Sequence, residues 1–511
     1  MSVELSIKDP GREQKLFVGR AITLFALVVI LFAILVARML TLQIVEHETY
    51  QLRADNNRTQ IQTLAPSRGM IYDRNGRLLA DNQTSFSLAI VAERVEDIES
   101  LLSAIVEILS LNTQQLERIR EELAKRSRPD SAVVILEALS EKQVALLAVN
   151  RHRLPGIEVV SRLIRSYPMG AIAAHAVGSV RRLTKEDLAT IEPVQYSGSQ
   201  FIGKRGVEAF YEKSLHGKVG YQKVETDAYG RVRRVLDVQG AQSGQNLTLH
   251  LDSKLQAASV DALDGRRGAI VALDPATGGV LAMVSQPSYD PNLFVSGMSS
   301  SQFSELSSSI YLPLFNRAVN GQYAPGSTFK PIVGLAGISS ATTDWDETIE
   351  DKGWFKLPGQ DRVYRDWSWT KDNSGGQGEV NLHRAIYRSS NVYFYDLASR
   401  MEVDSLLGFA GQFGFGRNLA LDIPQASSGL LPTPEWKRNV KNQPWYPGDS
   451  VNLGIGQGDL LATPLQMATV AATIANRGRV VRPKMLLSSD DTIGEMNSVE
   501  EPPQIVGLSE E

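Results

Sequence analysis

The stretch Tyr323-Ala-Pro-Gly-Ser327-Thr-Phe-Lys330-Pro331 decides how the rest of this chain is read. Ser-x-x-Lys sets a hydroxyl and an ammonium one helical turn apart on the same face. A serine hydroxyl is a weak nucleophile until a base takes its proton. A lysine can be that base only where desolvation or nearby positive potential lowers its pKa. A helix start supplies such potential, and its free N–H groups can face an oxyanion. Pro325-Gly326 suits a tight turn into a helix beginning here, and Pro331 is tolerated only near a first turn, where N–H groups lack partners anyway. The spacing thus predicts a turn entering a helix, with Ser327 as nucleophile and Lys330 as base.

One or two Ser-x-x-Lys matches are expected by chance at this length. A second copy, Ser368-Trp-Thr-Lys371, sits in a Trp/Gly/Asp-rich stretch without a helix signal and is read as accidental. What raises the first copy is Ala385-Ile-Tyr-Arg-Ser389-Ser390-Asn391-Val-Tyr-Phe-Tyr395 downstream. Ser-x-Asn offers a hydroxyl to relay a proton and an amide to hold a substrate backbone carbonyl. Spacing, order and the aromatic helix after Asn391 favour Ser389 and Asn391 over a second match, Ser450-Val-Asn452.

Composition removes other chemistries. The 511 residues carry 53 basic and 57 acidic side chains, a net charge of −4, so there is no basic footprint for nucleic acid. With no Cys, thiol nucleophiles, disulfides and Cys-ligated metals are excluded. The His residues show no metal spacing, and the zincin, P-loop and α/β-hydrolase signatures are absent. Gly454-Ile-Gly456-Gln-Gly458 lacks the third glycine of a dinucleotide loop.

From Ala21 to Ala37 the chain is uncharged and only Thr23 interrupts the apolar run, between Arg20 and Arg38. At about 1.5 Å per residue that run falls slightly short of a ~30 Å hydrocarbon core. Met39, Leu40, Leu42, Ile44 and Val45 extend it, and Arg38 can snorkel. Leu35 before Ala37 makes a poor small-x-small cleavage site, so an uncleaved signal-anchor over 21–45 is expected. Lys8, Arg12, Lys15 and Arg20 precede it, which predicts a cytoplasmic tail over 1–20 and export of everything after about residue 46.

The exported part reads as two blocks. Over 46–245, Phe86, Leu88 and Ile90 alternate as in a half-buried strand, and Asn112/Gln115 and Ser140/Gln143 form capping boxes that open two helices. From 246 to 511 the texture changes, with 268–278 and 280–284 reading as a β-hairpin. Ser488 to Glu511 is acidic and polar and reads as a solvated loop or frayed end.

At this point the chain resembles the class B penicillin-binding transpeptidases, whose motif set includes Ser-x-x-Lys, Ser-x-Asn and Lys-Thr-Gly. Arg68-Gly-Met-Ile-Tyr-Asp-Arg-Asn-Gly76 with Leu79-Ala80-Asp-Asn82 is similar to the first signature of the class B non-catalytic domain. Arg165-Ser-Tyr-Pro168 with His175 and Gly178 is similar to the second; Gly203-Lys-Arg-Gly206-Val-Glu208, Tyr211-Glu212 and Leu215-His-Gly217 resemble the third. Gly454–Gly458 running into Ala462-Thr-Pro-Leu-Gln-Met467 resembles a structural motif of the catalytic domain. Lys218-Val-Gly220 and Trp445-Tyr-Pro-Gly-Asp449 lean toward the elongation type of the class over the septal type.

The resemblance implies an α+β protein. A single transmembrane helix would be followed by an elongated pedestal (dimerisation) domain over 46–245. Over 246–511 it implies a transpeptidase domain with a central antiparallel sheet and helices on both sides. It implies a D,D-transpeptidase that cross-links peptidoglycan in the bacterial cytoplasmic membrane, with its bulk in the periplasm. Ser327 would attack a stem peptide ending in D-Ala-D-Ala, and Lys330 would take its proton. Ser389 would relay a proton toward the leaving nitrogen, and Asn391 would orient the donor backbone and Lys330. β-Lactams would mimic the donor; neither metal nor cofactor is needed. A membrane glycan-polymerising glycosyltransferase and scaffold proteins of the elongation machinery are the implied partners. The sequence departs from the pattern in one respect: it contains no Lys-Thr-Gly or Lys-Ser-Gly. The expectation is a catalytic domain truncated at its C-terminus, with an incomplete sheet; the alternative is a catalytically silent membrane-anchored scaffold.

Overall fold

The computed structural model describes residues 10–45, 59–124, 132–227, 232–298, 300–372, 375–423, 425–490 and 504–505. Lys8, counted toward the cytoplasmic tail, and most of the acidic end (491–503 and 506–511) lie outside the described residues. The described residues fall into two compact units. One lies within Met1–Leu64 and Gly220–Gly240, the other within Ala65–Val219 and Ala241–Glu511.

In the first unit, helix α1 runs Pro10–Leu40 and continues as a π-helical turn over Thr41–Val45. Its Lys15–Ile44 portion is long and apolar enough to cross a membrane. Such a segment must satisfy its polar groups internally. Thr23 Oγ1 accordingly donates to the Gly19 carbonyl (2.9 Å), and Thr41 Oγ1 to those of Ala37 (3.0 Å) and Arg38 (2.8 Å). The same unit holds an antiparallel sheet ordered Thr59–Leu64, Gly220–Thr226, Val232–Gln239, whose last strand is exposed along its whole length.

The second unit is mixed α+β. Its long strand Leu78–Val91 pairs with both Ala132–Leu139 and Ile157–Ser166. Here the half-buried expectation is corrected: Ser85, Ser87 and Ala89 on the opposite face are buried alongside Leu88 and Ile90. A strand with neighbours on both edges is central, and its small residues pack as closely as its large ones. Both expected capping boxes are present. Asn112 and Gln115 exchange bonds of 2.9 Å ahead of Thr113–Ala124, and Ser140 with Gln143 opens Glu141–Val149.

Strand Leu247–Leu249 pairs parallel with Ile71–Tyr72 and antiparallel with Leu486–Ser489, so one six-stranded sheet takes strands from both sides of residue 245. Ser488 and Ser489 are therefore ladder residues, not part of a frayed end. Ile505 is another correction: it is 1 % exposed in the helical core, and its N–H reaches the Gly478 carbonyl at 3.0 Å. A lone apolar residue among polar neighbours carries no periodic signal, yet one filled socket anchors it. The hairpin Gly268–Leu273/Val280–Gln286 forms as read and is a two-stranded sheet among the described residues.

The first-block signatures meet in one buried network. Glu208, fully buried, receives Arg165 Nε at 2.7 Å, Arg68 Nε at 2.7 Å and Tyr167 Oη at 3.2 Å. Arg68 also grips Glu212 (2.6 Å), Asn82 donates to the Arg68 carbonyl (2.5 Å), and Arg165 Nη1 donates to the Gly69 carbonyl (2.7 Å). Burial alone would raise the Glu208 pKa; Arg165 and Arg68 outweigh it and hold the carboxyl below its ordinary value. A Cβ on Gly203 would lie 1.9 Å from the Glu208 carbonyl oxygen, which is why a glycine stands there.

Candidate active site

The nucleophile turn is fixed from both sides. Tyr323 and Ala462 exchange backbone bonds of 2.9 Å, and the Gly326 N–H donates to the Gly456 carbonyl at 2.8 Å. Gly456 has φ +70°, and a Cβ on it would stand 2.2 Å from the Gly326 oxygen, so the Gly454–Gly458 motif is a seat for this turn. Gly326–Phe329 is a 3₁₀ turn leading into helix α2, Lys330–Ser339, with Pro331 in its first turn as the spacing predicts. Phe329, fully buried, packs edge-on to Phe415 at 5.0 Å, which leaves Ser327 exposed and points Lys330 inward.

Opposite them, Leu382–Arg388 ends at Ser389 in the left-handed region (φ +55°), and Ser390 then caps helix α3, Asn391–Arg400. That kink between helices turns Ser389 Oγ and Asn391 Oδ1 toward the same lysine. Lys330 Nζ donates to the Ser389 carbonyl (2.8 Å), Ser389 Oγ (3.1 Å) and Asn391 Oδ1 (2.6 Å), and Ser389 Oγ lies 2.9 Å from Ser327 Oγ. The four residues singled out from the sequence therefore form one hydrogen-bonded chain, with Ser389 between the hydroxyl and the amine. Burial lowers the Lys330 pKa to about 8, against the opposing attraction of Asp366 and Asp351. Desolvation, not positive potential from the helix start, is the leading cause.

Those two aspartates had no sequence signal, because they lie on turns and short strands without periodicity. Asp351, 2 % exposed, accepts the Ser390 hydroxyl at 2.6 Å; Asp366, 5 % exposed, accepts the Asn391 N–H at 2.9 Å. Together they fix the start of α3. The rejected matches are occupied elsewhere: Ser368 Oγ donates to Asp366 (2.6 Å), and Ser450 Oγ accepts Trp445 Nε1 (2.9 Å). Among the described residues no group of three or more His, Asp or Glu is arranged to hold a metal.

The model of the penicillin-binding protein transpeptidase domain matches residues 268–508, and that of the penicillin-binding protein dimerisation domain matches residues 63–249. The chain belongs to the class B penicillin-binding transpeptidases. A relative from Acinetobacter baumannii, peptidoglycan D,D-transpeptidase MrdA, is 40% identical over 95% of this chain and 71% of the relative. The Helicobacter pylori penicillin-binding protein PBP2, solved in complex with MreC, superposes with a TM-score of 0.75 at 30% identity, over 84% of this chain and 79% of that one. A chain from a peptidoglycan synthase complex, solved for the coordination of polymerization and crosslinking, gives a TM-score of 0.67 at 30% identity, over 94% and 80%. Within this family the seat formed by Gly456 accounts for the glycine motif beside the nucleophile turn, and the buried Arg68–Glu208–Arg165 network for the motif residues of the first block.

Proposed function

We propose that this chain is a peptidoglycan D,D-transpeptidase of the elongation type, with Ser327, Lys330, Ser389 and Asn391 as its catalytic residues. The observation that carries the reading is the continuous hydrogen-bond chain from Ser327 Oγ through Ser389 Oγ to a buried Lys330 Nζ. Ser327 Oγ attacks the carbonyl between the two terminal D-Ala residues of a donor stem peptide. Its proton passes by way of Ser389 to neutral Lys330, and returns along the same route to the nitrogen of the departing D-Ala. Asn391 holds Lys330 through Oδ1, leaving its amide N–H groups free to orient the donor carbonyl. An amine of a second stem then resolves the acyl-enzyme, and a β-lactam halts at that stage.

Residues 46–245 serve as the pedestal and 246–511 as the transpeptidase domain. The apolar span within Lys15–Ile44 anchors the chain in the bacterial cytoplasmic membrane. The excess of Lys and Arg before that span supports a cytoplasmic N-terminus and a periplasmic bulk. The relatives solved with MreC and within a synthase complex support a scaffold protein and a glycan-polymerising glycosyltransferase as partners.

Incubation with a fluorescent penicillin, wild type beside Ser327→Ala, followed by a denaturing gel, tests the reading. A labelled band present in the wild type and absent from the variant is expected. No band from a folded wild-type sample would overturn it in favour of a silent scaffold.

A further inference from the structure

Within the second unit, a cavity of about 440 Å³ is lined by none of the residues assigned to catalysis, and its size suits a small ligand. His175, Arg181, Arg205, Asn316 and Asn320 are among its polar lining residues. Met283, Val319 and Ile423 contribute apolar surface.

One cationic group here, Arg181, lacks acceptors along its edge. Arg181 Nε and Nη2 are buried and bonded to nothing among the described residues. The Phe294 ring, 4.1 Å from the guanidinium carbon, covers the face of that group but cannot accept from its edge. Among the described residues no carboxylate pairs with Arg181; the strongest charge effect on it is repulsion from Arg205, whose Nη1 is turned to the Leu314 carbonyl. Lys204 is paired with Asp187. The one carboxylate on the wall, Asp422, is spent on Tyr211 Oη (2.8 Å) and the backbone N–H groups of Met485 and Leu486 (2.8 Å each). His175 Nε2 is also buried and unbonded, while the ring's other nitrogen is engaged with Pro313. Burial keeps that imidazole neutral, so Nε2 is an acceptor waiting for an N–H or O–H.

A buried guanidinium edge without an acceptor is what an anion site looks like when empty of anion. We propose that this cavity binds a small organic oxyanion, a carboxylate or phosphate on an apolar body, held through Arg181 Nε and Nη2. His175 Nε2 accepts a hydrogen bond from a neighbouring N–H or O–H of the same ligand. Nothing in this assignment depends on the acyl-transfer reading of Ser327.

The test uses the full chain in detergent and its thermal midpoint. The probes are N-acetylleucine (carboxylate), phenyl phosphate, and N-acetylleucine amide as the uncharged match. At about 10 mM and a millimolar Kd, a charged probe is expected to raise the midpoint by about 2 °C while the amide does not. Whichever charged probe gives the larger rise identifies the head group. The rise is expected to vanish in Arg181→Met. Should that variant fail to fold, Asn320→Asp places a competing carboxylate on the wall and is expected to abolish the rise. No rise with either charged probe, an equal rise with the amide, or a rise retained in the variant would overturn the proposal.

Discussion

Replacing Ser389 by Ala removes the one atom that joins the nucleophile to its base. Ser389 Oγ stands 2.9 Å from Ser327 Oγ and 3.1 Å from Lys330 Nζ, and no direct bond between Ser327 and Lys330 bypasses it. The change leaves Lys330 with the Ser389 carbonyl at 2.8 Å and Asn391 Oδ1 at 2.6 Å, so the amine stays in place and keeps its lowered pKa. What is lost is proton transfer, a contribution of about 10²–10⁴ in rate for a positioned acid–base group. Stopped-time labelling with a fluorescent penicillin should show acylation of Ser389→Ala slowed by about that factor. The midpoint of its pH profile should not move, and thermal stability should lie close to that of the wild type. Acylation within about threefold of wild type would refute the reasoning, since it would mean that Lys330 reaches Ser327 without the bridge. A shifted pH midpoint would also refute it, because Ser389 would then be tuning the base and not carrying the proton.

The acylation rate of the wild type should follow the neutral fraction of Lys330. With a pKa of about 8, roughly one lysine in ten is neutral at pH 7, against about one in 2,500 for an ordinary lysine. Labelling should therefore rise about tenfold per pH unit below 8 and level off above it; a rate still climbing toward pH 10 would show an unperturbed amine. For stability the sensitive residue is Glu208. Glu208→Gln leaves Arg165 buried without a counter-charge and Arg68 with Glu212 alone, and should cost about 3–5 kcal/mol in denaturant unfolding. Because the folded-state pKa of Glu208 is depressed, its contribution is complete above the ordinary carboxylate range and fades as pH falls through the folded value. The variant should lack that part of the acid limb.

What could be read from the sequence was whatever local geometry encodes. Ser327 and Lys330 are one turn apart, so a helix must bring them near each other, and Pro331 could only stand at that helix's start. Capping residues such as Ser140 and Gln143 likewise act within one turn. Ser389 and Asn391 were found by type and order, but their meeting with Lys330 depends on the left-handed Ser389, which no residue preference predicts. Asp351 and Asp366 were missed because each reaches the site through tertiary contacts alone, from a strand end and a turn. The same holds for Ile505 and for Leu247–Leu249, whose strand partners lie far away in the chain.

Those two aspartates also explain how a lysine can be a base here without being disabled as one. Burial against Phe394 and the start of α3 strips water from Lys330 and lowers its pKa; that alone would make it a poor acceptor for a serine proton. Asp366 and Asp351 pull in the opposite direction and limit the fall. Neither touches the amine. Asp351 bonds Ser390 Oγ and the Gly353 N–H, and Asp366 bonds the Asn391 N–H, Ser368 and Gln377, so each acts on Lys330 only through its field. Among the described residues the arrangement leaves Nζ bonded to Ser389 and Asn391 alone, while desolvation lowers its pKa to about 8 against the pull of charges one layer out. A carboxylate bonded directly to Nζ would have fixed the proton on the amine; one placed behind the helix start tunes the base and leaves its proton path open.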